Sequence, residues 1–147
     1  MGDEGQRPLT LRRATAADQA AVATLLEALG YPVEPSEVPG RLAAVEAGGG
    51  VAMLVVDGES ALGLVAVSAH PVLHASGPVG YIGALVVAPH ARSRGVGRLL
   101  VSAAEEWARA RGCVRLSLTS AEHRADAHQF YPRCGLPYTG RRYSRAL

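Results

Sequence analysis

Apolar and polar residues follow one another with two different periods along the chain, and each change of period marks a predicted element. In the first third, apolar residues recur at helical spacing in two stretches. The first starts at Thr15, with an acid three residues later as in a capping box, and ends at Gly30. The second starts near Ser36 and ends at the glycines 48–50. Two helices are therefore predicted, after a short strand at residues 9–11.

The middle of the chain carries apolar runs of strand length. The runs Val51–Val56 and Ala61–Ala69 flank Asp57-Gly58, a dipeptide that is typical of a tight turn between paired strands. A loop rich in glycine and proline then leads to a third run, Gly80–Val87. Three strands are predicted here, the first two joined as a β-hairpin.

Helical spacing returns at Val96 and continues until Gly112, which is placed to end a helix. Leu99 and Trp107 are expected on its buried face, together with residues 100 and 103. Basic residues in the last turn complement the helix dipole.

The C-terminal residues predict two more strands and one more helix. Apolar and polar residues alternate over 114–118, which is typical of a strand with one polar face. A short helix is predicted from about residue 124 to residue 131. A final strand is predicted at Tyr143, Arg145 and Leu147.

Composition favours one globular domain over residues 1–147. Of the 147 residues, 48% are hydrophobic and 19% charged, which is a globular balance. Helices mixed with consecutive hairpin strands predict an α/β (α+β) fold with a mixed sheet. Neither a membrane-spanning run nor a signal peptide is visible, so a cytoplasmic protein without membrane contact is expected.

Charge is unevenly placed along the chain. Residues 1–91 hold nine acidic and four basic residues, a balance of −5, whereas residues 92–147 hold four acidic and eleven basic residues, a balance of +7. The C-terminal half is therefore expected to meet an anion. The net charge of only +2 and the lack of reader motifs argue against nucleic-acid binding.

The segment 85–98 carries the candidate chemistry. A buried strand ends, a short loop turns, and a glycine-bearing stretch opens a helix whose first amides have no intrahelical partner and favour an anion. Gly95 and Gly97 would let phosphates approach the backbone. Charge-assisted hydrogen bonds would come from Arg92, Arg94 and Arg98. Taken alone, the segment leaves open a phosphate site and an ordinary turn with surface arginines.

Two blocks of sequence resemble a known family. Arg92-x-x-Gly95-x-Gly97, after an apolar Leu-Val-Val strand, resembles the acyl-CoA motif of the GNAT superfamily of N-acetyltransferases. The second block, residues 124–136, is similar to the superfamily's C-terminal Ala-x-x-Phe-Tyr-x-x-x-Gly-Phe segment. It departs at Leu136, where an aromatic residue is usual, and at Arg124, where many members have asparagine. The resemblance covers nearly the whole chain and implies the GNAT acyl-CoA N-acyltransferase fold, a central, mostly antiparallel mixed sheet flanked by helices.

What the resemblance implies is an N-acetyltransferase that moves the acetyl group of acetyl-CoA to a primary amine, expected to be that of a small molecule, by direct attack and without a metal. An amide near Val87 would polarise the thioester carbonyl, and Tyr131 would protonate the leaving thiolate. The implied cofactor-binding residues are Leu85, Val86, Val87, Arg92, Ser93, Arg94, Gly95, Val96, Gly97, Arg98 and Arg124.

Several alternatives stay open. A non-catalytic acyl-CoA-binding sensor and a protein or peptide N-acetyltransferase both fit the same motifs. Homodimers are common in the superfamily, so a dimer stands beside a monomer. A covalent route through Cys134 is the minor alternative to direct attack. The acidic N-terminal half favours a cationic acceptor. The residues that remain open as the base are His70, His74, Glu122, His123 and Asp126.

Overall fold

The computed structural model describes residues 7–119, 125–140 and 142–147. Within them the chain alternates between strands and helices much as the periodicity predicts. The elements are β1 (Thr10–Arg13), α1 (Gln19–Leu29), α2 (Val38–Ala47), β2 (Gly50–Asp57), β3 (Ser60–His70), β4 (Val79–Val87), α3 (Val96–Ala110), β5 (Arg115–Leu118) and α4 (Ala125–Arg133).

The predicted helix start at Thr15, the helix end at Gly30 and the turn at Asp57-Gly58 all lie where the sequence predicts them. The backbone N–H of Thr15 donates to the Asp18 carboxylate at 2.8 Å, which confirms an acid-capped start before α1. Gly30 ends α1 in the left-handed region, with a φ of 106°. Gly58, with a φ of 61°, turns the chain between β2 and β3, and Asp57 pairs with Ser60 across the turn.

The five strands form one sheet in chain order, β1-β2-β3-β4-β5. Every neighbouring pair is antiparallel except β4 and β5, which are parallel, with α3 as the crossover between them. The predicted mixed, mostly antiparallel sheet is confirmed. Ile82 and Ala84 pair with consecutive residues of β3, so Gly83 is an extra, bulged residue of β4.

Helix α3 lies against the sheet at two glycines. A Cβ on Gly63 would lie 2.7 Å from Val96 Cγ1, and a Cβ on Gly80 would lie 3.1 Å from Ala108 Cβ. Val96 and Leu100 are almost completely buried in this contact. The sheet therefore fixes the position of the first turn of α3, where the candidate chemistry lies.

Two predictions from the sequence are wrong: the buried position of Leu99 on α3 and the final strand at residues 143–147. Leu99 is 43% exposed, because its side chain points about a quarter turn away from Leu100. Trp107 does pack against the core, with the Arg111 guanidinium 4.7 Å above its ring. The described residues 142–147 form no strand and are exposed, so no buried face specifies a register for them.

No helix in the described part of the chain has the length and apolar content that a bilayer crossing requires.

Candidate active site

A cavity of about 490 Å3 opens between α1, the C-terminal end of β4, the loop that follows, the first turn of α3, and α4. Its lining includes nine of the eleven predicted cofactor residues: Leu85, Val86, Val87, Arg92, Ser93, Gly95, Val96, Gly97 and Arg98. The folded chain thus brings the strand end and the glycine-rich turn together around one space of ligand size.

The strand wall of this cavity has a free edge among the described residues. β5 pairs with β4 from Val79 to Ile82, and the last pair is Ile82–Leu118. The Gly83 bulge of β4 comes directly after this pair. No described strand pairs with this edge of β4 from Gly83 to Val87, so its backbone N–H and C=O groups can pair with an extended ligand in the manner of an added strand.

The loop after β4 is held in an unusual backbone conformation. Arg92 is extended, with φ −60° and ψ 147°, and the next residue, Ser93, has a φ of 75°. Ser93 is the one non-glycine residue of the described chain at positive φ, a conformation that costs a residue with a side chain about 1–2 kcal/mol. Strain of this kind persists where the surrounding structure enforces it, often at ligand sites.

Helix α3 starts without a side-chain cap. Its N-cap is Gly95, in the left-handed region with a φ of 79°, and no side-chain cap hydrogen bond is formed there within the described residues. The first bond of the helix runs from the Leu99 amide to the Gly95 carbonyl at 3.1 Å. The amides of residues 96–98 therefore have no intrahelical acceptor and border the cavity, an arrangement suited to phosphate.

The three arginines of the motif do not act together. Arg92 and Arg98 line the cavity. Arg94 instead donates from Nη1 to Asp57 Oδ2 at 3.1 Å, so its charge is engaged by the β2–β3 turn. The described chain therefore brings two arginines and three amides to the cavity. Arg124 lies outside the described residues, as do Glu122 and His123.

Gly97 has a packing role that the motif alone does not reveal. A Cβ at this position would lie 2.8 Å from Cζ of Phe130, so α4 rests its phenyl ring on the first turn of α3. Phe130 itself lines the cavity, as does Ala28 of α1. Phe130 is not among the predicted cofactor residues, although its place inside the second block is a signal. Nothing in the sequence pointed to Ala28.

Tyr131 directly follows Phe130 on α4, and the two rings meet edge to face with centroids 5.5 Å apart. Its side chain is half-buried and is not part of the cavity lining. The Tyr131 carbonyl accepts hydrogen bonds from the amides of Cys134 and Leu136, at 3.0 and 2.9 Å, which close the end of α4. Tyr131 therefore lies beside the cavity rather than on its wall.

The thiol of Cys134 is poorly suited to attack a thioester. Burial raises its pKa, and the positive charge of Arg98 opposes this only in part. A thiol with a raised pKa carries little thiolate at neutral pH, and the thiolate is the nucleophile. The environment of Cys134 therefore favours direct transfer over a covalent route.

Comparison with known proteins places this geometry in a family. The model of the acetyltransferase (GNAT) family matches residues 16–136, which include both motif blocks and the cavity. The chain belongs to the GNAT family of acetyltransferases. Among curated proteins no similar sequence was found.

Solved structures agree with this assignment. An acetyltransferase from Trypanosoma brucei is 25% identical to this GNAT protein, with a TM-score of 0.82 over 95% of this chain and 100% of that one. An aminoglycoside N-acetyltransferase in complex with CoA is 17% identical, with a TM-score of 0.85 over 100% of this chain and 99% of that one. Glucosamine-6-phosphate N-acetyltransferase from Arabidopsis thaliana is 18% identical, with a TM-score of 0.81 over 95% of this chain and 99% of that one. The last two likenesses show the fold.

Proposed function

We propose that this GNAT protein is an acetyl-CoA-dependent N-acetyltransferase that acts on a primary amine of a small molecule by direct attack. One observation carries the proposal: a single cavity joins the free edge of β4 to the uncapped first turn of α3. An extended chain with a phosphate group at one end fits these two walls, and CoA has that shape. Family membership supports the reaction type.

Each part of the cavity would hold a different part of acetyl-CoA, which supplies the acetyl thioester. The amides of residues 96–98, with Arg92 and Arg98, would bind phosphates. The backbone of Leu85, Val86 and Val87 would align the pantetheine arm, and the Val87 amide would stabilise negative charge on the carbonyl oxygen. Contact of Arg94 and Arg124 with the cofactor stays a prediction.

The chemistry requires one proton donor beside the cavity. The lone pair of the amine nitrogen forms the new C–N bond, the C–S bond breaks, the nitrogen gives up one proton to a base or to water, and the sulfur takes up a proton. Tyr131 is the proposed donor, since a phenol ordinarily keeps its proton at neutral pH and can give it to a thiolate.

Small-molecule acceptors are supported by neighbours of the same fold, which include an aminoglycoside and a glucosamine-6-phosphate N-acetyltransferase. The non-catalytic sensor differs from the enzyme in one measurable respect, because only the enzyme releases CoA when an amine is added. The cytoplasmic location and the homodimer stay predictions.

The test combines binding with turnover. Acetyl-CoA is expected to raise the melting temperature by mass action, and an amine panel is expected to release free CoA. Tyr131→Phe keeps the ring and removes the proton, so kcat is expected to fall by roughly 10²–10⁴-fold, with acetyl-CoA affinity and melting temperature close to those of the parent.

Tyr138→Phe is the matched control, because Tyr138 is 76% exposed and has no contact with the cavity. It is expected to keep the parental kcat. A parental kcat in Tyr131→Phe would remove Tyr131 from the mechanism. A stabilised protein that releases no CoA with any amine would favour the sensor.

A further inference from the structure

Three polar side chains from separate parts of the chain meet where the pairing of β4 with β5 ends. The Tyr81 hydroxyl lies 3.0 Å from the Thr119 hydroxyl, and Arg142 donates from Nη1 to Thr119 Oγ1 at 3.1 Å. We call Tyr81, Thr119 and Arg142 the fork cluster. These contacts join Tyr81 to Thr119, which is 38 positions away, and Thr119 to Arg142, which is 23 positions away. No linear motif contains all three residues.

Tyr81 of the fork cluster and the cavity wall lie on the same strand, four residues apart. Tyr81 comes immediately before the last β4–β5 pair, Ile82–Leu118, and Thr119 comes immediately after it. The Tyr81 ring reaches toward the bulged Gly83, with Cε1 3.9 Å from where a Cβ on that glycine would stand. The cavity wall starts at Leu85, within about 13 Å along the strand from Tyr81.

The Tyr81 side chain lies on the face of β4 opposite α3. Gly80 faces α3, and side chains alternate along a strand, so Tyr81 points to the other face. Helix α1 contacts β3 and β4. Ala28 of α1 lines the reaction cavity. An acceptor that enters between α1 and the fork would therefore meet the cluster while its amine approaches the free edge of β4.

Among the described residues, the charge at the fork is that of Arg142. Arg142 is exposed, and no carboxylate of the described residues forms an ion pair with it. Its guanidinium carries five N–H donors, of which the bond to Thr119 uses one. Thr119 thus orients the planar group and leaves donors that match the two oxygens of a carboxylate or phosphate.

Acids of the N-terminal half carry a field of the opposite sign. Four of them form ion pairs with arginines of the same chain: Asp18, Glu37, Glu46 and Asp57. Three of these partners are already counted in the balance of −5, so only the pair of Asp57 with Arg94 reduces that balance, to −4. The case for an anionic acceptor therefore rests on the local charge of Arg142 and competes with the overall charge of the N-terminal half.

We propose that the fork cluster is a specificity site in which Arg142, oriented by Thr119 and Tyr81, binds an anionic group of the acceptor. The substrate class is then a small primary amine that also carries a carboxylate or a phosphate. This inference rests on the proposed acetyl transfer and adds the chemistry of the acceptor.

The test uses amines in matched pairs. β-Alanine is compared with β-alaninamide, and O-phosphoethanolamine with ethanolamine, so that the two pairs distinguish a carboxylate from a phosphate. Spermidine represents the cationic class. The readout is kcat/KM for CoA release at saturating acetyl-CoA, expressed as the ratio of the anionic to the neutral member of each pair.

In the parent protein the kcat/KM ratio of at least one pair is expected to be roughly 10 to 100, the range that a charge-assisted hydrogen bond gives. Arg142→Ala is expected to bring that ratio close to one, mainly through KM, and Arg142→Lys to restore part of it. Arg145→Ala is the matched control, an exposed arginine with no contact to the cluster, and is expected to keep the parental ratio. The melting-temperature shift with acetyl-CoA monitors the cofactor site in every variant.

Two results would overturn the inference alone. One is a parental protein that acetylates spermidine or the neutral amines faster than either anionic amine. The other is a ratio that Arg142→Ala leaves unchanged. Failure of acetyl-CoA to stabilise the parental protein would instead overturn the proposed function, and this inference with it.

Discussion

Gly63 decides how closely α3 approaches the sheet, and Gly63→Ala tests this directly. The residue is buried on β3 and does not adopt a positive φ, so conformational freedom is not the reason for a glycine here. A Cβ would lie 2.7 Å from Val96 Cγ1, 2.9 Å from Leu100 Cδ1 and 3.1 Å from the Val86 carbonyl oxygen. Because Val96 and Leu100 are buried, neither can rotate into solvent.

The expected cost follows from these distances. Carbon atoms pack best at about 3.5–4.0 Å, so α3 must shift outward by about 1 Å. Overpacking of this kind costs about 1–3 kcal/mol, and alanine recovers about 0.5–1 kcal/mol relative to glycine in a strand. The net loss is expected to be about 1–2 kcal/mol, or about 2–8 °C in melting temperature for a chain of this size.

The same shift should reach the cofactor site. Val96, Gly97 and Arg98 line the cavity from the first turn of α3. Hydrogen bonds weaken steeply when donors move by a sizeable fraction of an ångström, so acetyl-CoA affinity is expected to fall by roughly tenfold. Thermal unfolding and calorimetric titration of the same preparation measure both effects.

A matched glycine provides the control. Gly40 lies in α2, where a Cβ would have no atom within 4 Å, so Gly40→Ala is expected to raise stability by up to about 1 kcal/mol and leave affinity unchanged. A double-mutant cycle with Val96→Ala, which removes the contacting Cγ1 atom, tests the same contact. Gly63→Ala is expected to lower the free energy of unfolding less in the Val96→Ala background than in the parent. If Gly63→Ala matched the parent in both melting temperature and affinity, the packing argument would be refuted.

Substitution of two arginines of the motif is expected to have different effects. Arg92→Ala should weaken acetyl-CoA binding by roughly 10- to 100-fold with little change in melting temperature. Arg94→Ala removes the ion pair with Asp57 and should mainly lower the melting temperature. Titration calorimetry and thermal unfolding of the two variants check this, and equal affinity losses would contradict it. The bond from Arg12 lowers the pKa of Asp18 to about 2, so the stability from this pair is full above pH 4 and is lost as the pH falls toward 2. Asp18→Asn should remove about 1 kcal/mol at neutral pH, because the arginine is half exposed and screened, and should flatten the acid limb of the stability profile, measured by urea unfolding between pH 2 and pH 6.

Much of the architecture is legible from the sequence because its signals act over a few residues. The change from period two to helical spacing predicts α3 after β4, and Gly30 and Gly58 mark a helix end and a hairpin through their backbone conformation. The cavity lining follows from the same cause. A strand, a loop and a helix start that are contiguous in sequence stay contiguous in space, so nine predicted residues border one cavity.

The direction in which a side chain points depends on elements that are distant in sequence. Arg94 belongs to the motif, but a carboxylate 37 positions away engages it. Gly97 meets Phe130 only because α4 packs across α3, and Tyr81 meets Thr119 only because β5 returns beside β4. Periodicity and caps report which element forms, since they concern neighbours along the chain. The partner of a given side chain is decided by packing and charge between elements, and these exist only once the chain has folded.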